Sequence, residues 1–105
     1  MVKLASIDLG SNSTRLLIAE LNNQEFNVLH RIHVVTKMSE NLEQTGEISS
    51  AAVKRVNSAL RTFKKLIIKN NVDEVFVIGT AALRDSKNAD ELIENIRKKF
   101  IDTKI

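Results

Sequence analysis

The chain has 105 residues, which is enough for one small domain and too few for two ordinary ones. It contains no Cys, which excludes disulfide scaffolds, thiolate metal sites and thiol nucleophiles. Its net charge of +3 permits an anionic ligand and gives no sign of a nucleic-acid-binding protein. Because the sequence shows neither an apolar run of membrane-spanning length nor a signal peptide, we expect a cytoplasmic protein without membrane contact.

Three apolar segments at the start of the chain predict a meander of antiparallel strands. They cover residues 4–9, 16–21 and 26–35. The polar segments between them, GSNS at 10–13 and NNQ at 22–24, are typical of tight turns between strands.

A polar segment over 36–48 predicts a loop, and a helix follows it. Ser49 or Ser50 suits the N-cap of this helix, which we expect to end near Asn70. Apolar residues recur along it at steps of three and four, as on the buried face of a helix: Val53, Val56, Leu60, Phe63 and Ile67.

One more strand and one more helix complete the pattern. The run VFVI at 75–78 does not alternate with polar residues, which is typical of a strand covered on both faces. Asn88 is predicted to start the last helix, with Glu91 at the capping-box position. All four Phe fit core positions, and the chain has no Trp or Tyr on which bases would stack, so we do not expect a nucleic-acid partner.

The element order β-β-β-α-β-α predicts an α/β fold. A meander makes strands 1 and 3 parallel, and a crossover through the long helix makes strand 4 parallel to both. The carboxyl ends of strands 1 and 4 then lie at one edge of the sheet, where ligands bind in open α/β sheets. We predict the strand order 3-2-1-4, although the pattern of elements alone leaves 1-2-3-4 open.

The turn after strand 1 carries groups that suit phosphate. Gly10 lets the backbone approach closely, and successive N–H groups in such a turn form anion-binding nests. Arg15 follows the turn, and Arg84 near the end of strand 4 offers a second guanidinium. Asp8 can hold a hydrated Mg²⁺ beside the phosphates. The same polar turn is also compatible with a hairpin that binds nothing. Side-chain donors come from three residues in succession: Ser11, Asn12 and Ser13.

Two segments resemble the signature motifs of the exopolyphosphatase/guanosine pentaphosphate phosphohydrolase (Ppx/GppA) family. Residues 7–16, IDLGSNSTRL, resemble its first phosphate motif, and residues 79–88, GTAALRDSKN, resemble its second amino-terminal signature. The segment TGEIS at 45–49 is similar to the family's intervening segment. The resemblance implies the ribonuclease-H-like fold of actin, sugar kinases and Hsp70. It also implies release of terminal phosphate from inorganic polyphosphate or guanosine pentaphosphate, usually with Mg²⁺.

The resemblance further implies roles for individual residues. The turn 10–13 and Thr80 would bind phosphate, and Arg15 and Arg84 would stabilise charge on the phosphate chain. Asp8 would lie near the metal or the attacking water, so Asp8 and Arg84 would support catalysis without acting as the general base.

The chain departs from the family pattern in a loop and in length. Many members carry a stretch like RLGEGL where this chain has KMSENL at 37–42, so Ser39 and Asn41 replace two glycines. Family members are considerably longer, and their catalytic Glu and second glycine-rich phosphate loop lie beyond the stretch that resembles this chain. We therefore expect residues 1–105 to form one truncated amino-terminal lobe, without the next strand and the carboxy-terminal lobe.

The sequence leaves two functions open. The first is the amino-terminal part of a phosphoanhydride hydrolase. The second is a non-catalytic module that binds phosphate or polyphosphate, or that associates with another chain, including a second copy, through an unpaired sheet edge beside strand 4.

Overall fold

A mixed four-stranded sheet carries its helices on one face. The computed structural model describes residues 2–79, 83–84 and 86–100. The elements in chain order are β1 (Val2–Leu9), β2 (Ser13–Asn22), β3 (Glu25–Val35), α1 (Leu42–Thr45), α2 (Ser50–Lys69), β4 (Glu74–Gly79) and α3 (Ala89–Lys99). The strands and both long helices lie where the sequence predicts them. The segment 36–48 is not entirely a loop, because α1 forms one helical turn within it.

The strand order is β3-β2-β1-β4, which confirms the predicted order and removes the alternative 1-2-3-4. Strands β1, β2 and β3 pair antiparallel, and β4 pairs parallel to β1. The outer edge of β4 pairs with no strand among the described residues. Association of two chains through this edge stays a prediction.

The core lies between the sheet and the two long helices. Alternate residues of β1 are fully buried: Ala5, Ile7 and Leu9. Helix α2 packs its predicted apolar face against them, with Phe63 fully buried, and α3 adds Leu92 and Ile96. Helix α2 has the predicted N-cap: the Ser49 side chain accepts a hydrogen bond from the Ala52 N–H.

The other face of the sheet, which carries Asp8, Arg15, His33 and Ile78, is here called the open face. Directly opposed residues of neighbouring strands share a face, and the register places Arg15 between Asp8 and His33, with Ile78 on the far side of Asp8. Ile78 is 57% exposed, because the long helices pack on the opposite face. The prediction that both faces of strand 4 are covered is therefore wrong for the described structure.

A β-bulge in β3 changes which side chains face the core. Ile18 pairs with His30 and Ala19 pairs with Val28, so Leu29 between them has no partner. The extra residue reverses the alternation of β3, because successive side chains of a strand point to opposite faces. Phe26, opposite Leu21, lies on the open face and is 58% exposed, so the prediction that all four Phe are in the core is wrong.

Helix α3 starts at Asn88 without the predicted capping box. The Asn88 side chain makes no capping bond to the helix. Its Oδ1 accepts from the Ile48 N–H and its Nδ2 donates to the Ile48 carbonyl, both at 2.9 Å. These bonds hold the start of α3 against the segment that leads into α2.

At the carboxyl end of α3, burial and the positive charges of Arg61 and Lys64 lower the pKa of Lys99. No helix among the described residues is both long and apolar enough to cross a membrane.

Candidate phosphate-binding site

The carboxyl ends of β1 and β4 lie side by side, as the sequence predicts. Leu9 at the end of β1 is in register with Gly79 at the end of β4. The turn over 10–12 therefore begins at the same edge of the sheet as the segment that leads to the exposed Arg84. Thr80, the other residue predicted at this edge, lies outside the described residues.

The turn requires a glycine at position 10, because the Ser13 carbonyl oxygen lies close to the Gly10 backbone. Its N–H donates to the Ser13 carbonyl oxygen at 2.9 Å. A Cβ atom at position 10 would lie 2.7 Å from that same oxygen, which is closer than real Cβ contacts. A side chain at Gly10 would therefore force the turn open.

The segment 36–39 fixes the orientation of the turn. The N–H of Ser39 donates to the Ser11 carbonyl at 3.1 Å, and the N–H groups of Thr36 and Lys37 each donate to the Asn12 carbonyl at 3.0 Å. The Asn12 N–H belongs to the same peptide group as the Ser11 carbonyl. In a trans peptide these two groups point in opposite directions, so the Asn12 N–H points away from the segment 36–39. No backbone carbonyl of a described residue accepts it. The turn therefore presents this backbone donor on its outer side, where an anion can accept its hydrogen bond.

Arg55 on α2 braces the segment that fixes the turn. Its Nε donates to the Thr36 carbonyl at 2.8 Å, and its Nη2 lies 2.6 Å from Glu40 Oε2. The hydroxyls of Thr14 and Thr36 form a buried hydrogen bond of 2.8 Å that joins the same segment to β2. Sequence analysis missed Arg55, because on a helical pattern it looks like any half-exposed polar residue.

Replacing Arg55 is expected to loosen the support of the turn. In Arg55→Ala, we expect the free energy of unfolding to fall by about 1–3 kcal/mol, because the Thr36 carbonyl loses its charged donor. Hydrogen exchange at the N–H groups of Lys37 and Ser39 should accelerate. Glu40→Gln is the matched control, since it removes the exposed ion pair, worth about 0–1 kcal/mol, and keeps the bond to Thr36. Equal exchange rates in Arg55→Ala and the wild-type chain would contradict a bracing role.

Polar side chains of three strands meet on the open face beside the turn. Asp8 is half-buried and Arg15 is exposed, and neither side chain makes a hydrogen bond or ion pair with a described residue. Ser13 is only 7% exposed, and its Oγ lies 2.6 Å from His33 Nε2. Ser13 and Arg15 share one face of β2, because they are two residues apart in the strand. The sequence does not predict the contact of Ser13 with His33.

The sequence profile of the Ppx/GppA phosphatase family matches residues 17–103. This chain belongs to that family. It is 34% identical to a bifunctional 3-dehydroquinate synthase/phosphatase of Fusobacterium nucleatum, over 96% of this chain and 16% of that protein. It is 32% identical to a putative exopolyphosphatase of Haemophilus influenzae, over 93% of this chain and 30% of that protein.

A solved structure confirms the fold of the family. The Ppx/GppA family member from Aquifex aeolicus superposes with a TM-score of 0.91 at 28% identity, covering 98% of this chain and 34% of that one. This chain therefore spans about a third, or less, of the proteins that it matches.

The loop that departs from the Ppx/GppA pattern keeps a backbone conformation suited to glycine. Asn41, at the second of the two replaced glycines, has a φ of 60° in the left-handed region. Asn tolerates that region better than most residues. Ser39, at the first replaced glycine, adds a side-chain hydrogen bond of 3.2 Å to the Ser11 carbonyl. The two replacements are thus compatible with a loop that supports the turn.

Part of the second Ppx/GppA signature has a structural role in this chain. Besides the Asn88 contacts with Ile48, the N–H of Lys87 donates to the Gly46 carbonyl at 2.9 Å. Gly46 has a φ of 74°, and a Cβ there would lie 3.0 Å from the Lys87 side chain. Lys87 and Asn88 therefore hold Gly46 and Ile48, and Arg84 is the arginine of this signature.

Proposed function

We propose that this chain is the amino-terminal, phosphate-binding part of a phosphoanhydride hydrolase that releases terminal phosphate from inorganic polyphosphate. The observation that carries the proposal is the turn 10–13, which is held so that the Asn12 N–H points outward at the edge where β1 and β4 end. The exopolyphosphatase named among the relatives supports the same substrate class. Guanosine pentaphosphate is the second candidate substrate, because it offers the same terminal phosphoanhydride.

Two guanidinium groups complement the turn. Arg15 projects from β2 onto the open face, and Arg84 follows the end of β4. Guanidinium groups bind phosphate oxygens through paired, charge-assisted hydrogen bonds. Arg15 has no protein partner among the described residues, so its charge is available to a phosphate chain.

Asp8 suits a magnesium ion that keeps most of its water. Mg²⁺ is commonly bound by one or two carboxylates together with substrate phosphates. Asp8 offers one half-buried carboxylate without a protein partner among the described residues, and no cluster of three His, Asp or Glu residues occurs there. These donors fit a hydrated ion and do not fit an all-protein metal site. When bound, Mg²⁺ would neutralise charge on the phosphate oxygens.

Binding and hydrolysis have different requirements. A hydrolase also needs a base that orients the attacking water, placed together with the charge-stabilising groups on one phosphorus atom. The described residues supply phosphate donors and Asp8, whose carboxylate would be occupied by the hydrated metal. We therefore propose that these 105 residues bind the phosphate chain and do not hydrolyse it by themselves.

The test is a calorimetric titration of the 105-residue chain with tripolyphosphate and Mg²⁺, together with an assay of released phosphate. We expect saturable binding that is about ten- to a hundredfold weaker in Arg15→Ala, which removes a charge-assisted contact. Arg61→Ala is the control, because it removes the same charge from an exposed position of α2, which packs on the other side of the sheet. Absent binding, or equal losses in the two variants, would overturn the site. Rapid phosphate release would overturn only the claim that the chain binds without hydrolysis.

A further inference from the structure

We propose that His33 is a positioning residue of the phosphate-binding turn, and that a proton on its ring directs the Ser13 hydroxyl to the bound anion. The proposal rests on the proposed function and adds a residue and a proton dependence to the same site. His33 Nε2 lies 2.6 Å from Ser13 Oγ, within hydrogen-bond distance.

The burial of Ser13 constrains the direction of this hydrogen bond. Ser13 is 7% exposed, and the contact with His33 is the hydrogen bond that its side chain makes among the described residues. A buried hydroxyl proton needs an acceptor. When the ring is neutral and carries its proton on Nδ1, Nε2 is that acceptor and Ser13 is the donor.

Protonation of His33 reverses the bond. A proton taken from solvent binds to Nε2, so that Nε2–H donates to Ser13 Oγ. The Ser13 O–H is then released and can donate to a phosphate oxygen beside the turn. The charged ring also attracts the anion. A bound phosphate chain in turn favours the protonated ring, since coupling between two binding events is reciprocal.

The surrounding charges belong to the same face of the sheet. Arg15 on β2 is directly opposite His33, and Asp8 on β1 is opposite Arg15. Arg31 lies two residues away on the same face of β3. The Arg15 and Arg31 guanidinium groups therefore share this face with the His33 ring, and a bound anion would be attracted by both of them.

His30 provides a matched control on the same strand. It lies on the opposite face from His33, where it is paired with Ile18. His30→Gln and His33→Gln remove the same titratable ring, and a Gln side chain donates and accepts hydrogen bonds without a change of charge.

The experiment measures tripolyphosphate binding by calorimetry at several values of pH between 5.5 and 8.5, in the wild-type chain and in both Gln variants. Near pH 7 it is repeated in two buffers with different ionisation enthalpies, which gives the protons taken up on binding. Dividing the wild-type affinity by the variant affinity at each pH cancels the titration of the ligand itself. Imidazole ¹⁵N shifts of His33 report the tautomer of the neutral ring.

We expect the wild-type affinity, relative to that of His33→Gln, to rise about fivefold or more from pH 8.5 to pH 5.5. Proton uptake should be lost in His33→Gln and kept in His30→Gln, and the neutral His33 ring should carry its proton on Nδ1. If both Gln variants bind tripolyphosphate with the affinity and the pH profile of the wild-type chain, the role of His33 is overturned and the proposed function is not. A neutral ring protonated on Nε2 would also overturn the role of His33. No binding at any pH would overturn the proposed function and this inference together.

Discussion

Gly10→Ala is expected to abolish most of the phosphate binding of this chain. The new Cβ would lie 2.7 Å from the Ser13 carbonyl oxygen, so the turn must open and the bond from the Gly10 N–H to that oxygen must lengthen. Overpacking of this kind costs about 1–3 kcal/mol of folding free energy. The Asn12 N–H would then lose its fixed direction, and we expect tripolyphosphate to bind at least about tenfold more weakly.

Binding and stability of Gly10→Ala have to be measured together. Calorimetric titration gives the affinity, and urea unfolding shows what fraction of the chain is folded under the same conditions. Ser11→Ala is the neighbouring control, because it adds no atom near the Ser13 carbonyl and should leave the hydrogen bond from the Gly10 N–H to that oxygen intact. A folded Gly10→Ala chain with wild-type affinity would contradict the geometry of the turn.

The largest loss of stability is expected from Phe63→Ala. Phe63 is fully buried where α2 packs on the sheet, and truncation of such a ring costs about 3–5 kcal/mol through lost burial and the cavity that remains. Domains of this size are stable by only about 5–15 kcal/mol, so a large part of the total would be lost. Urea unfolding followed by circular dichroism measures the change.

Ile68→Ala is the control for Phe63→Ala on the same helix. Ile68 is 65% exposed, so its truncation should change the unfolding free energy by no more than about 0.5 kcal/mol. Losses of equal size in the two variants would show that α2 is not packed on the sheet as described.

Much of the candidate site is visible in the sequence. The turn 10–13, Arg15 and Arg84 are recognisable because phosphate requires small residues, backbone donors and guanidinium groups close together. The meander and the crossover helix are equally visible, and together they bring the ends of β1 and β4 to one edge. Asn88 shows the limit of such patterns. A capping box is recognised from residues three positions apart. The Asn88 side chain instead bonds to Ile48, which lies 40 residues earlier in the chain.

The supports of the site are not visible in the sequence. Arg55 meets Thr36, and His33 meets Ser13, across 19 and 20 residues of chain, respectively. No spacing rule connects such pairs, because their contact depends on where a helix packs and on how two strands are aligned. The packing of α2 brings Arg55 to Thr36, and the register between β2 and β3 brings His33 to Ser13.

The amino-acid sequence by itself determined the elements of this protein, the chemistry of its phosphate turn and its resemblance to the Ppx/GppA family. Only the tertiary structure decided the strand order and the faces to which the side chains of β3 point. The unpaired Leu29 decides on which face His33 lies. Without this extra residue, the pairing of Ala19 with Val28 would continue along both strands, and His33 would lie opposite Thr14 on the core face. A shift of one residue moves every side chain of a strand to the other face, and apolar periodicity does not show where such a bulge occurs.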